Sequence, residues 1–582
     1  MEVISSFLII IAGIIAFIRD KKDGRVRRLP IWVCVMVSSM PLLLPYLGLG
    51  LDQEFHNNRI LGIEYSLKAE MFPVRLNSFT FGGYGYADAV FYPNLFLYIP
   101  AVLHGIGVPY ATAVNTFLLL ANMATAVSMY ICGKGLFRSE KIAVVSSCSY
   151  TLSIYRLCNE FQRAAYGELL AMIFIPMVIL GFYYVFFDEQ KKWYVLVIGF
   201  TGVLQSHLVS SLLVAMICLV GGVFCIKYLV QEKRYLALLK ALFFTLLLNV
   251  WELVPLIQYM STEIDTSSLL VKASESAVPL TVLLDLYGEI NSYPSFGYKN
   301  GGDMSHILCT SLGLSIVAGI IVFMVYKISD REEKETEQGK IASVMILCGV
   351  ITSFIATDLF PWKILERVNL FGIVSGYIQF PSRFLTFSSC FFTLGIAYAF
   401  VYFIDSMQEK KLAYAILALI IILPAGYYVS QYEKTGAGVR TEEDVKVFID
   451  NKEYLYADTD IQALNGEIVS PGIEVSNVEK KGLQISLTYD AQQANQQQLY
   501  IEVPLLYYPG YVAFNENGNQ LHIERGDNNC IRVTEIQSQG SITVKYQESI
   551  LWRVCEIISA VSLLFFGVLL FKKHGALPLV HR

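Results

Sequence analysis

Five ionisable residues, Asp52, Glu54, His56, Arg59 and Glu64, crowd a short stretch that comes directly after an apolar run. If residues 53–70 are helical, Asp52, His56 and Arg59 fall at i, i+4 and i+7 and form one narrow polar stripe. Ile63 and Leu67 continue it as an apolar stripe. A carboxylate, an imidazole and a guanidinium would then aim at one place, which is the equipment for moving a proton beside an anion. The bland alternative is that Asp52 caps a helix and Arg59 pairs with an acid on a wet surface.

Three arginines form a second group: Arg75 in Phe72-Pro73-Val74-Arg75, Arg163 in Arg163-Ala164-Ala165-Tyr166-Gly167-Glu168, and Arg383 in Phe380-Pro381-Ser382-Arg383. All three sit in loops or at span beginnings on the face where Lys and Arg are otherwise scarce. The planar donor fork of arginine suits phosphate, and a lipid-phosphate head group lies at this depth. Snorkelling, or pairing of Arg163 with Glu168, would explain each one singly. His207 near a span end and Glu252 inside an apolar run are further candidates, with a buried interhelical hydrogen bond as the alternative. Asp285, Glu289 and His306 read as solvated. The run Phe81-Gly82-Gly83-Tyr84-Gly85-Tyr86, then Asp88 and Phe91-Tyr92-Pro93, offers a sugar-stacking turn or an interfacial aromatic belt. It lacks the GxGxxG order of a nucleotide site.

The elements that must position these residues are membrane spans. In 582 residues, 55% are hydrophobic and 16% charged, with a mean hydropathy of +0.51, so lipid is the main solvent. The net charge of -5 gives no reason to expect a nucleic-acid partner. The 11 cysteines fall mostly in apolar runs and show neither zinc spacing nor a disulfide framework. Windows of about 20 apolar residues predict about thirteen crossings. Residues 1–18 precede the basic cluster Arg19, Lys21, Lys22, Arg25, Arg27, Arg28, which predicts a retained helix with its N-terminus outside. Residues 31–49 return the chain to the outer face. Basic residues then gather in alternate loops if the run 90–108 is an outer juxtamembrane or re-entrant helix, and the C-terminus is cytoplasmic.

The expected organisation is a multi-span domain over 1–430 with a long first outer loop at 51–111, an outer domain over 431–549, and a final helix with a short tail over 550–582. Alternating stretches at 483–489, 499–503, 521–524 and 541–546 predict an antiparallel β-sandwich in the outer domain. The fold class is therefore an α-helical polytopic membrane protein carrying a small β domain.

The stretch from Asp52 to Arg75, with Asp-x-x-Phe-His-x-x-Arg-Ile and Phe-Pro-Val-Arg, resembles the YfhO-like bacterial membrane proteins. Gly83-Tyr84-Gly85, Phe91-Tyr92-Pro93, Arg163 to Glu168, Phe380 to Phe384 and Tyr507-Tyr508-Pro509-Gly510-Tyr511 carry the same likeness. Some relatives bear the label "6-pyruvoyl-tetrahydropterin synthase-related", although nothing here resembles that soluble zinc enzyme. The wider group this family is similar to is the GT-C superfamily of membrane glycosyltransferases. The resemblance implies a GT-C-like fold in a bacterial plasma membrane. It also implies a sugar donor on a polyprenyl phosphate, a cell-envelope glycan or lipid acceptor, and Asp52 as the catalytic acid of the first outer loop. Asp52 would be general base, with Glu54 and His56 beside it, and Arg59, Arg75, Arg163 and Arg383 would hold the lipid phosphate, with Tyr84, Tyr92, Glu168 and His207 lining the substrate. The usual Asp-x-Asp is absent, replaced by Asp52-Gln53-Glu54. If a divalent cation such as magnesium or manganese takes part, Asp52 and Glu54 are its ligands. Two other readings fit the same features: a flippase or transporter of a lipid-linked glycan, and a non-catalytic envelope assembly protein.

Overall fold

The computed structural model describes residues 28–48, 50–266, 270–288, 310–329, 336–433, 438–445, 453–492 and 499–574. The expected first crossing at 1–18, the basic residues 19–27, Glu289 and His306 lie outside them. The protein is a helical, multi-pass membrane protein. Among the described residues seven helices are long and apolar enough to cross a membrane: Tyr110–Phe137, Tyr166–Phe186, Tyr235–Met260, Glu337–Ala356, Pro381–Ser406, Lys410–Gln431 and Ile550–Lys572. The pair Leu208–Phe224 and Ile226–Lys233, bent by 78°, makes an eighth if counted as one span.

That is fewer than the hydropathy runs suggest, because several runs are broken. Leu29–Ser38 gives way at Ser39-Met40-Pro41 to a 3-10 turn, Met40–Leu43. Glu140–Thr151 stops at Leu152 before the short helix Ile154–Leu157, and Tyr194–Leu204 stops two residues before His207 caps the next helix. Gly313–Ser329 is an apolar helix of 17 residues, at the short end of the range that crosses a membrane. Leu95–Gly105 is short as well, consistent with leaving the run 90–108 out of the crossings.

Contacts divide the chain into two compact units. The first holds Met1–Gln53, Gly107–Leu242 and Leu269–Asp444. Its spans pack closely through glycine: a Cβ on Gly181 would lie 2.4 Å from the Leu196 nitrogen, and one on Gly199 2.6 Å from the Val178 nitrogen. The span Pro381–Ser406 is its axis, with 89% of its apolar window buried. It carries Thr386, Ser388, Ser389 and Thr393 into the interior.

The second unit holds Glu54–Ile106, Phe243–Ser268 and Val445–Arg582. It contains helix Gln53–Lys68 beyond its first residue, the later half of Tyr235–Met260, the β domain and the final helix Ile550–His574. The strands are β1 (Glu474–Lys481), β2 (Gln484–Asp490), β3 (Tyr500–Leu506), β4 (Tyr511–Asn515), β5 (Gln520–Arg525), β6 (Cys530–Thr534) and β7 (Gln539–Tyr546). The β domain is one curled sheet rather than two stacked ones. All pairings are antiparallel, in the order β1-β2-β7-β4-β5-β6-β3. Alternation specifies an apolar face, here Ile485, Leu487, Ile501, Val503, Ile531, Val533, Ile542 and Val544. It does not specify whether that face belongs to one sheet or two. The ladder is shortest between β4 and β5, which share only the pairs Ala513 with Leu521 and Phe514 with Gln520.

Candidate active site

Asp52 is positioned by the backbone before any side chain acts. The Leu51 and Asp52 amides donate to the carbonyls of Gln162 (3.1 Å) and Arg163 (2.7 Å), so the two segments run side by side. Gly50 permits this approach, since a Cβ there would lie 2.4 Å from the Ala164 Cβ. Tyr166 closes the contact by donating from its hydroxyl to Gln53 Oε1 (2.9 Å). The facing segment is itself unusual. Cys158–Gln162 is a π-helical turn, closed by the Arg163 amide on the Cys158 carbonyl (2.8 Å), and Ala164 takes a φ of 53°. Such a turn holds one residue more than an α-helical one, and it re-aims the side chains just beyond it.

The first side chain so aimed is Arg163. Its Nη1 donates to Glu168 Oε2 (2.8 Å) and Asn159 Oδ1 (2.6 Å). Arg383 reaches the same Glu168 oxygen with Nε at 3.9 Å, and its Nη1 donates to the Ile378 carbonyl and Gln379 Oε1, each at 2.7 Å. The other oxygen of Glu168 accepts from Tyr155 (2.7 Å), Thr386 (2.8 Å) and Asn159 (3.2 Å). Glu168, 1% exposed, is therefore a saturated acceptor holding two arginines. Asp52 is the opposite case. Its carboxylate is partly exposed and makes no hydrogen bond or ion pair among the described residues. Burial pushes its proton affinity above the usual aspartate value, Arg163 and then Arg383 pull it down, and Glu168 adds a little upward. The Arg163 guanidinium is held charged chiefly by Glu168 against the cost of burial.

No family model matches the chain, and no curated protein does. Among similar solved structures is the archaeal oligosaccharyltransferase AglB from Archaeoglobus fulgidus, in complex with an inhibitory peptide and a dolichol-phosphate. Identity is 9% and the TM-score 0.34, over 75% of this chain and 61% of that one. The chain thus spans less than two thirds of that protein's length.

The remaining sequence candidates divide between the units. In the first, His207 caps helix Leu208–Phe224, accepting from the Ser210 amide (3.3 Å), and lies within electrostatic range of Glu168. In the second, Arg59 is buried and donates through Nη2 to the carbonyls of Tyr92 (2.9 Å) and Pro93 (2.7 Å). It stacks on the Tyr92 ring at 4.1 Å, and its Nη1 lies 3.3 Å from His56 Nδ1. Arg59, His56 and Tyr92 thus clamp a loop, and the carbonyls take the donors that a phosphate would use. Asp88, the carboxylate beside Arg59, is pushed by burial to about 6. Tyr84 is buried too, its hydroxyl accepting from the Gly466 amide (2.7 Å) under the Lys480 ammonium.

Arg75 departs furthest from its expected role. It meets Glu252 (3.2 Å), Glu556 (3.2 Å) and Glu548 (3.7 Å) and stacks on Trp251. Three carboxylates around one guanidinium repel a phosphate. They also employ Glu252, the residue a transporter would place within a span.

The residues around Asp52 do not fit a divalent cation. A hard cation needs several free oxygen ligands, whereas Asp52 faces two guanidiniums and the oxygens of Glu168 are taken by four hydrogen bonds and the ion pair with Arg383. Glu54 stands partly exposed in the first turn of its helix.

Reading the sequence missed Tyr155, Asn159, Thr386 and Gln379, and beside them a second buried cluster. There Arg156 pairs with Glu160 (3.2 Å) and Asn122, and Asn122 also donates to Ser39 (2.9 Å). A signal existed in the i,i+4 spacing of Arg156 and Glu160.

Proposed function

We propose that this protein is a membrane glycosyltransferase that moves a sugar from a polyprenyl-phosphate donor to a cell-envelope glycan or lipid acceptor. The reaction takes place at the outer face of a bacterial plasma membrane, with Asp52 as general base. The supporting observation is a partly exposed carboxylate with no hydrogen bond among the described residues, fixed by its backbone beside two buried arginines. The alternating basic loops and the sequence motifs support the orientation and the family reading.

The charges explain how the site would work. Asp52 and Glu168 balance Arg163 and Arg383, so the resting site is near neutral. The acceptor hydroxyl gives its proton to Asp52 as its oxygen bonds the anomeric carbon and the bond from that carbon to the phosphate oxygen breaks. Protonation cancels the charge on Asp52 and leaves one guanidinium charge uncompensated at the moment the phosphate departs as an anion. Stabilisation of this kind appears only as the reaction proceeds, which is what lowers a barrier. The raised proton affinity of Asp52 favours the transfer.

Asp52→Asn tests the reading, because it keeps size and polarity but cannot take the proton. We expect sugar transfer from a polyprenyl-phosphate donor to fall by about 10²–10⁴-fold with folding and insertion intact. Normal transfer by the well-folded variant would sink the proposal.

A further inference from the structure

We propose that Glu548 and Glu556 share one proton, so that the carboxylates gathered on Arg75 form a proton-binding site which straps the β domain to the helices of its own unit. The charges in this cluster do not balance. Arg75 faces Glu252, Glu548 and Glu556, and Arg553 reaches Glu548 at 3.4 Å and Glu556 at 2.9 Å. Three carboxylates thus meet two guanidiniums, and Arg553, with a side chain 51% exposed, is the weaker of the two because water screens it.

Among the described residues the surroundings offer no further cation in contact with these acids. Tyr98 and Tyr546 face the cluster as neutral phenols whose ionisation burial opposes, and Cys555 is a thiol. Arg59 acts on Glu252 only as a weaker, more distant charge. Glu252 Oε1 and Glu548 Oε2 are buried without a hydrogen-bond partner, although Arg553 attracts the latter. An excess negative charge in such a place is costly, and a proton removes it. Glu548 and Glu556 are the pair placed to share it, since each contacts both arginines. Burial first, and the neighbouring Glu556 carboxylate second, push Glu548 up to about 7.

The cluster ties four elements together. Arg75 belongs to the loop after helix Gln53–Lys68, Glu252 to span Tyr235–Met260, Glu548 to the residues after β7, and Glu556 to the final helix. Trp552 donating to Gln258, and Ser559 donating to the Leu247 carbonyl (2.8 Å), fasten the same two helices. Loss of the proton leaves the charge excess where the β domain joins the final helix.

A shared proton fixes the sign of the pH dependence. A carboxyl raised in the folded state contributes stability that is complete below its unfolded value, about 4.3, and is lost as pH rises through about 7. The detergent-purified full chain should therefore melt several degrees lower at about pH 8 than at about pH 5. Glu548→Gln, which imitates the protonated group, should flatten this slope and melt above the wild type at the alkaline end. Infrared spectra of the wild type should show a protonated carboxyl stretch that the variant and Glu556→Gln both lose, a measurement that holds even if one variant folds poorly. A wild type without that band would overturn the proposal. So would an unchanged slope in Glu548→Gln, or alkaline stabilisation of the wild type by sodium or magnesium, which would make the ligand a metal cation.

Discussion

The carboxylates on Glu168 and Asp52 and those around Arg75 are built from the same residue types and do different work. In the first cluster two acids match two arginines, one acid is saturated with donors, and the other makes no hydrogen bond among the described residues. In the second, three acids surround Arg75, and every one of them contacts an arginine. The difference teaches that an arginine near a span end says little about function until its charge is balanced against its neighbours. A phosphate is attracted where protonation of one acid releases positive charge, and repelled where acid is already in excess.

Substitutions should separate the two clusters. The largest effect is expected from Glu168→Gln, which strands two buried guanidiniums and should cost about 3–5 kcal/mol in denaturant or thermal unfolding. A variant as stable as the wild type would end the view of Glu168 as a hub. Arg75→Gln should come next, losing about 2–4 kcal/mol near neutral pH, because it leaves buried carboxylates that can escape only by taking up protons. Its deficit should shrink on acidification, whereas that of Glu168→Gln should not, so parallel pH series for the two variants would merge the clusters. Gly50→Ala comes third. The Cβ collides with Ala164, and the expected loss of about 1–3 kcal/mol should bring slower sugar transfer as Asp52 is displaced. Stability falling with transfer untouched would free Asp52 from its backbone anchor. Smallest is His207→Ala, expected to lose about 1 kcal/mol of helix capping, with His207→Asn restoring most of it. Failure of asparagine to rescue would give the imidazole a role besides the cap.

The sequence disclosed much of this and hid the rest for identifiable reasons. The membrane class was legible because apolar runs and alternating basic loops are one-dimensional signals. Helix Gln53–Lys68 was legible because its polar and apolar stripes keep helical spacing. Whether Arg59 and Arg75 were free was not legible, since their partners lie in other segments: carbonyls at Tyr92 and Pro93, and acids nearly 500 residues onward at Glu556. The pairing of Arg163 with Glu168 was legible, from their nearness in sequence, only as the alternative to a phosphate site, while Thr386, 218 residues away on the same carboxylate, was not legible at all. Among the described residues fewer helices reach span length than the hydropathy runs suggest, because a hydropathy window averages across the interruptions at Pro41 and Leu152. One curled sheet was read as two layers because alternation records only which side of a strand is dry, and β1, almost wholly exposed, alternates too little to read.

The extra residue in the turn Cys158–Gln162 makes this protein vulnerable to a change that composition would never register. Each residue in an α-helix advances the winding by about 100°, so deleting one from this turn would let it relax to ordinary helix and swing Arg163 away from Glu168. The spans on either side would keep their length and hydropathy, and such a chain would still insert. A gene one codon shorter at this place should therefore encode a protein that is made and membrane-bound yet inactive, which turns a single gap in an alignment into a marker for lineages that have lost the activity.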